Sequence, residues 1–187
     1  MTAEAATGLA ADFANLPSWT LSELQLGDTE LLLTGAFVPL TGFLGAADVA
    51  SVSAHGTLAD GTPWPVPVVL DVPEEAVPPG AARLALLDPE GTPLAILNIS
   101  ERSAVAPSPS GHGGRHARPD DAASSGLVRL AGTVTGFREP EHGPFRQLRQ
   151  TPAQVRAELG DGPVLAFATR RPLSGRQIGQ LRHFAGP

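Results

Sequence analysis

The 187-residue chain has no cysteine, no lysine, no tyrosine and a single methionine. Without cysteine there is no disulfide framework, zinc–thiolate site or thiol nucleophile, which fits a reducing compartment. Without lysine, Schiff-base chemistry and a P-loop lysine are excluded. All 13 cationic side chains are arginine, so any anion site must be built from guanidinium forks or backbone amides. An excess of positive charge is also missing: the formal net charge is −6, which disfavours extended nucleic-acid contact. No apolar run approaches membrane length, and the first eight residues carry Glu4 but no arginine, the wrong charge for a secretory leader. The chain is expected to be cytoplasmic and soluble, with neither a nucleic-acid nor a membrane partner.

What is present is 42% hydrophobic residues with 21 glycines and 19 prolines, a globular composition rich in turns and short elements. The length allows one domain plus an appendage. Thr20-Leu21-Ser22-Glu23 reads as a capping box opening a short helix, and Asp28 as the cap of another that Gly35 stops. A third short helix is expected near Ala46 to Val52. The alternation of Trp64, Val66, Val68 and Leu70 reads as a strand, held to a sheet edge by Pro65 and Pro67. Leu84 to Leu87 and Leu94 to Ile99 flank Asp88-Pro89-Glu90-Gly91, whose residues suit a tight turn, so these two runs form a hairpin.

Residues 106 to 126 have almost nothing to bury and read as a mobile loop. It contains His112 and His116, but Gly113 and Gly114 between them oppose the helix that would make the pair metal ligands, so both read as solvated. Leu127 to Phe137 returns as an alternating strand. Thr151-Pro152-Ala153-Gln154 opens a helix with cap, N1 proline and capping-box glutamine together, ending near Gly160. Val164 to Ala168 is an apolar run suited to a buried strand, and Ser174 to Gln177 is a further capping box opening a helix through Ile178 and Leu181.

Several blocks resemble the N-terminal region of the sulfate adenylyltransferase (ATP sulfurylase) family: Gly35-Ala36-Phe37-Val38-Pro39-Leu40-Thr41-Gly42-Phe43, then Leu58-Ala59-Asp60-Gly61-Thr62-Pro63-Trp64-Pro65, then Leu87-Asp88-Pro89-Glu90-Gly91. The resemblance implies a fold that is mainly β with short helices (α+β): a PUA-like β-barrel over residues 1–162, followed at 163–187 by a strand-loop-helix remnant of the start of the nucleotidyltransferase domain. At that junction the family continues through a strand into Gln-Thr-Arg-Asn-Pro-x-His-x-x-His. This chain keeps Thr169, Arg170 and Pro172, but has Ala168 for the glutamine, Arg171 for the asparagine, and Ser174 and Gln177 for the two histidines.

The resemblance implies a reaction in which sulfate attacks the α-phosphorus of MgATP, so the protein must orient two anions and stabilise charge growing on the phosphates. Imidazoles on the first turn of a helix suit that task, whereas serine and glutamine donate hydrogen bonds without positive charge. What survives reads as a weak site for sulfate or a nucleotide phosphate at Thr169, Arg170, Arg171 and Arg176 beside a helix N-terminus. The competing reading has these arginines solvated while Ser174 and Gln177 merely cap the helix. Asp60, Asp71 and Asp88 read as turn residues, and Trp19 and Trp64 as packing residues. No Gly-x-Ser-x-Gly elbow, Walker A or dinucleotide fingerprint occurs.

Later family elements that would complete the nucleotide pocket have no counterpart before Pro187. The chain is therefore expected to be a stand-alone, degenerate N-terminal domain without adenylyl transfer of its own, a binding or interaction module with no catalytic residue, no metal site and no cofactor of its own. The alternative is one component of a sulfate adenylyltransferase completed by another polypeptide. A protein partner or a homo-oligomer suits either reading.

Overall fold

The computed structural model describes residues 13, 15–105, 126–136, 150–160 and 162–185, in two compact units, 1–151 and 152–187. The first unit is a six-stranded mixed sheet with two helices. Its elements are β1 (Ser18–Thr20), α1 (Glu23–Leu33), β2 (Gly42–Phe43), α2 (Ala46–His55), β3 (Leu70–Pro73), β4 (Arg83–Leu87), β5 (Pro93–Ala104) and β6 (Leu127–Gly136). Strand order is β1-β4-β5-β6-β2, with β3 also on β6. Long β6 thus pairs β5 along one edge, while its other edge takes β3 at residues 127–130 and β2 at 132–133. The expected α+β, mainly β architecture is present; no closed ring of strands occurs among the pairings of the described residues.

The hairpin of β4 and β5 forms where the turn chemistry places it. The Asp88 carboxylate accepts from the Glu90 and Thr92 amides at 3.0 and 2.7 Å, and Gly91 takes the positive φ of 82° that closes the turn. Leu84, Leu86, Leu94 and Leu97 of this hairpin join Leu70, Val72, Val128 and Leu130 in the main core. A smaller cluster of Leu44, Val52 and Leu58 lies beneath α2. Trp64 serves packing, its ring edge-on to Phe37 with centroids 5.5 Å apart.

Helix α1 differs from its expected start. Its cap is Ser22, not Thr20, and Gln25 rather than Glu23 closes the capping box. The helix then runs unbroken through Asp28, which is buried on it instead of capping a second helix. Its buried face is Gln25, Asp28, Thr29 and Leu32, polar at three of four positions, while Leu24 and Leu31 face solvent. Two of the five leucines of this helix therefore face solvent while polar side chains take places on the face that packs, beside Leu32 and the partly buried Leu26 and Leu33. Gln25 explains the inversion. Its Oε1 accepts from the Trp19 indole at 3.1 Å and from the Ser22 amide at 3.0 Å, and its Nε2 donates to the Asp71 carbonyl at 3.0 Å. One side chain joins β1, the helix start and β3.

The strand expected from Trp64 is shorter than its alternation suggests. Only Leu70–Pro73 pairs in the sheet, since Pro63, Pro65 and Pro67 remove every second donor before it. Asp71 of that strand is not a turn residue: it faces Arg129 across the β3–β6 pair, and its two carboxylate oxygens accept from Arg129 Nε and Nη2 at 2.7 and 2.8 Å. Residues 106–125, with His112 and His116, and Phe137 lie outside the described residues.

A bulge in β5 between Ile99 and Glu101 brings three backbones together at Gly132. Gly132 has a φ of 150°, and a Cβ there would meet the Asn98 carbonyl, while a Cβ on Gly42 would meet the Gly132 carbonyl. Glycine is required at both places by close approach.

Two outcomes follow for stability. Gln25→Leu leaves the Trp19 indole, the Ser22 amide and the Asp71 carbonyl without their partner, and should lower unfolding free energy by about 2–4 kcal/mol. Urea denaturation followed through Trp19 and Trp64 fluorescence measures this, and a loss under about 0.5 kcal/mol would show that the clamp contributes nothing. Gly132→Ala forces two strands apart and should cost roughly 3 kcal/mol or more in the same assay, whereas Gly27→Ala, with open space around its Cα and a helical conformation, should be neutral or stabilising.

Candidate functional site

The second unit holds α3 (Pro152–Leu159), a connecting segment without regular secondary structure, and α4 (Gly175–Ala185). Helix α3 starts at Pro152 and ends at Leu159, before Gly160, whose φ of 64° and amide hydrogen bond donated to the Arg156 carbonyl make it a C-terminal glycine stop. Val164 to Ala168 follows without regular secondary structure, unlike the buried strand expected there. Val164, Leu165 and Phe167 are 53, 55 and 51% exposed. An apolar run becomes a buried strand only against a sheet, and no described strand pairs with this one.

A tight turn comes next. The Thr169 hydroxyl donates to the Arg171 carbonyl at 2.7 Å and accepts from the Arg171 amide at 3.2 Å. Pro172 and Leu173 lead to Ser174, and here the expected capping box is present in full. The Gln177 amide donates to Ser174 Oγ at 3.4 Å, the Ser174 amide donates to Gln177 Oε1 at 2.9 Å, and the two side chains bond each other at 2.9 Å. Arg170, Arg171 and Arg176 are exposed around this start. The structure thus gathers the four candidate residues on one turn and one helix start within eight residues of chain, and engages Ser174 and Gln177 with each other.

Two concavities of the first unit leave no motif in the sequence by which to find them. A polar cleft of about 330 Å³ lies where β2 crosses β6, lined by Thr41, Gly42, Asp48, Ser100, Glu101 and Thr133 among others. Its carboxylates serve the backbone: Glu101 Oε1 accepts the Ala46 amide at 2.9 Å, capping α2 from another strand because Gly45 has no side chain to do so, and Asp48 Oδ1 accepts the Ala59 amide at 2.9 Å. The second is an apolar groove of about 180 Å³ formed by Phe37, Trp64, the Pro65 to Val68 segment and Asp28. No group of three or more metal-ligating side chains occurs among the described residues, and no helix there is long and apolar enough to cross a membrane.

Asp60 is a turn residue, as its Asp-Gly context suggests. Its Oδ1 accepts the Thr62 amide at 2.9 Å, and this bond, joined by one from the Thr62 hydroxyl, holds its carboxyl below the ordinary aspartate range. A depressed folded-state value means that the stabilisation is present at neutral pH and lost as pH falls through that value. An NMR titration should give Asp60 a midpoint below that of an aspartate in an unstructured peptide, and Thr62→Val, which keeps the amide but loses the hydroxyl, should move it part of the way back. A midpoint at the peptide value would refute the turn's hold on the carboxylate.

A family model described as PUA-like domain matches residues 1–107. The sulfate adenylyltransferase of Deinococcus radiodurans is 39% identical over 172 residues, covering 87% of this chain and 44% of that protein. That of Saccharomyces cerevisiae is 35% identical over 175 residues, covering 87% of this chain and 34% of that protein. Among solved structures, one titled hexameric APS kinase from Thiobacillus denitrificans matches with a TM-score of 0.64 and 35% identity, over 84% of this chain and 29% of that one. The chain spans less than half the length of these relatives.

Proposed function

The chain belongs to the PUA-like domain family, in the form that makes up the N-terminal part of sulfate adenylyltransferases, and we propose that it serves sulfate activation as a degenerate, stand-alone binding or interaction module without adenylyl transfer of its own. The observation that carries this is the capping box at the start of α4. Where the family resemblance places two imidazoles, Ser174 and Gln177 stand and are spent on each other and on the helix backbone. Adenylyl transfer needs preorganised positive donors at the phosphates, and removing even one such donor from an active site typically costs on the order of 100-fold to 1,000-fold in rate.

The donor set of these residues does not fit MgATP as a whole. Three exposed guanidinium groups and a few amides match an oxyanion, while neither an imidazole nor a cluster of metal-ligating groups stands beside them among the described residues. Sulfate or a single phosphate is the ligand this turn suits. Self-association belongs to the same proposal, since the solved relative is titled hexameric. The second reading, a component completed by another polypeptide, is favoured by the exposed rim of Arg170, Arg171 and Arg176, which could then act on a nucleotide held by the partner.

Incubating the purified chain with ATP, magnesium, sulfate and pyrophosphatase should give no adenylyl sulfate above a protein-free control, and turnover would remove the leading reading. A co-purifying polypeptide that brings activity, lost again on Arg170→Ala, would move the assignment to the second.

A further inference from the structure

Asp-Gly pairs occur in the chain at 60–61 and 161–162. In an open chain such a pair rearranges spontaneously, because a glycine amide has no side chain beside it to hinder attack on the aspartyl carboxyl. The Gly61 nitrogen bonds to Asp60 Cγ, and the amide proton and the carboxyl hydroxyl leave as water. Water then opens the five-membered imide at either carbonyl. One opening restores aspartate, and the other gives isoaspartate, whose main chain runs through Cβ and Cγ. The reaction needs no oxidant, metal or enzyme.

The turn holds every group that this reaction must move. Asp60 Oδ1 accepts the Thr62 amide at 2.9 Å, the Gly61 amide donates to the Leu58 carbonyl at 2.9 Å, and the Leu58 amide donates to the Thr62 carbonyl at 2.8 Å. The turn is pinned in its place by α2, where Asp48 Oδ1 accepts the Ala59 amide at 2.9 Å and the Ser51 hydroxyl donates to the Leu58 carbonyl at 3.3 Å. Ring closure breaks the Asp60–Thr62 and Gly61–Leu58 bonds together. An added main-chain carbon would also spoil the 58–62 closure, the Thr57–Pro63 bridge and the Trp64 amide bond to the Gly56 carbonyl. The same hold keeps the Asp60 carboxyl below its ordinary range, which reduces the neutral acid, the form that loses its hydroxyl, by about tenfold for each unit of displacement. Gly61 has a φ of 89°, so a β-carbon that would slow the attack is disfavoured there. The turn thus demands the residue that makes the pair labile and supplies the bonds that guard it.

We propose that Asp60 is a backbone-isomerisation site gated by the fold: closed while the 58–62 turn is formed, and open whenever that turn is lost. Isoaspartate at position 60 then bars the turn from re-forming, so an episode of unfolding leaves a covalent mark in the family-like block. All the guarding bonds lie between residues 48 and 64, within the first unit.

The test ages the full chain in buffer and in guanidinium chloride at the same mildly acidic pH, then digests it with a protease that cuts before aspartate but not before isoaspartate. Loss of the cut between Ala59 and Asp60, with intact mass unchanged, reports isomerisation there. The cut before Asp161 reports the other pair. In denaturant the two pairs should isomerise at similar rates. In buffer Asp60 should react at least about tenfold more slowly than in denaturant, because reaction then waits on the small fraction of opened turn. Thr62→Val, which keeps the amide and loses the hydroxyl, should raise the rate in buffer and leave the rate in denaturant unchanged. Near-ultraviolet circular dichroism from Trp19 and Trp64 should match the wild type for this variant before ageing, and should differ for chain isomerised at position 60 and returned to buffer. Equal rates in buffer and denaturant, a faster rate in buffer, or a Thr62→Val chain no faster than wild type would overturn the gating. An Asp60 that stays intact in denaturant while Asp161 isomerises would overturn the site itself.

Discussion

The carboxamide of Gln25 holds the first unit in register. A glutamine side chain offers one acceptor with two lone pairs and two donor hydrogens, and here both lone pairs and one hydrogen are used on three different parts of the chain: the indole of β1, the amide opening α1 and a carbonyl of β3. The group is buried, so each bond is made where an unmade one would be costly. The carbonyl it satisfies belongs to Asp71, whose carboxylate is itself gripped by Arg129 of β6. A continuous polar path therefore runs from the first strand through α1 and β3 to the last strand, linking segments more than a hundred residues apart in sequence.

That path has a mechanical counterpart at Gly132. Strand β6 is the hub of the sheet, and it can receive β2 on one edge and the bulged β5 on the other only if its backbone is bare at the crossing. The polar cleft opens at this crossing, and the Gly-Phe of the family-like block Pro39-Leu40-Thr41-Gly42-Phe43 is the strand that forms the contact. The block therefore has a structural reason to be distinctive: Gly42 fits against a carbonyl, and Phe43 is buried beside it. Its residues need no ligand to explain them.

How much of this could be read from sequence depends on which interactions are local. The hairpin around Asp88, the start of α3 at Pro152 with its stop at Gly160, and the Ser174–Gln177 box are each decided within about five residues of chain, and each occurs where its residues place it. The errors lie where a distant partner decides. Thr20 and Ser22 both offer a plausible cap, and the choice of Ser22 is fixed by Gln25 reaching Trp19 and Asp71. Asp71 looks like a turn residue until Arg129, 58 positions away, is placed opposite it. Strand β1 pairs parallel with β4 over three residues, too short a run to leave a pattern. At the candidate site the local chemistry of the turn and cap was legible, and the lack of strand pairing by Val164 to Ala168 among the described residues was not, because an apolar run has the same appearance with or without its neighbours.

The start of α4 shows how one pair of positions can serve a helix or a ligand, but not both. Side chains at the cap and at the third helical position can turn back to satisfy backbone amides, which stabilises the helix by about 1 kcal/mol, or point outward to meet an anion. Serine and glutamine are short and flexible enough to turn back, and in this chain they do, each accepting from the other's amide. An imidazole at either position would leave an amide open and offer its ring N–H outward, favouring bound anion over isolated helix. Stability and oxyanion chemistry draw on the same few donors here, and this chain has settled them on the helix. Among the described residues no strand pairs with the preceding segment, so the cap that Ser174 and Gln177 make is what secures the start of α4 locally.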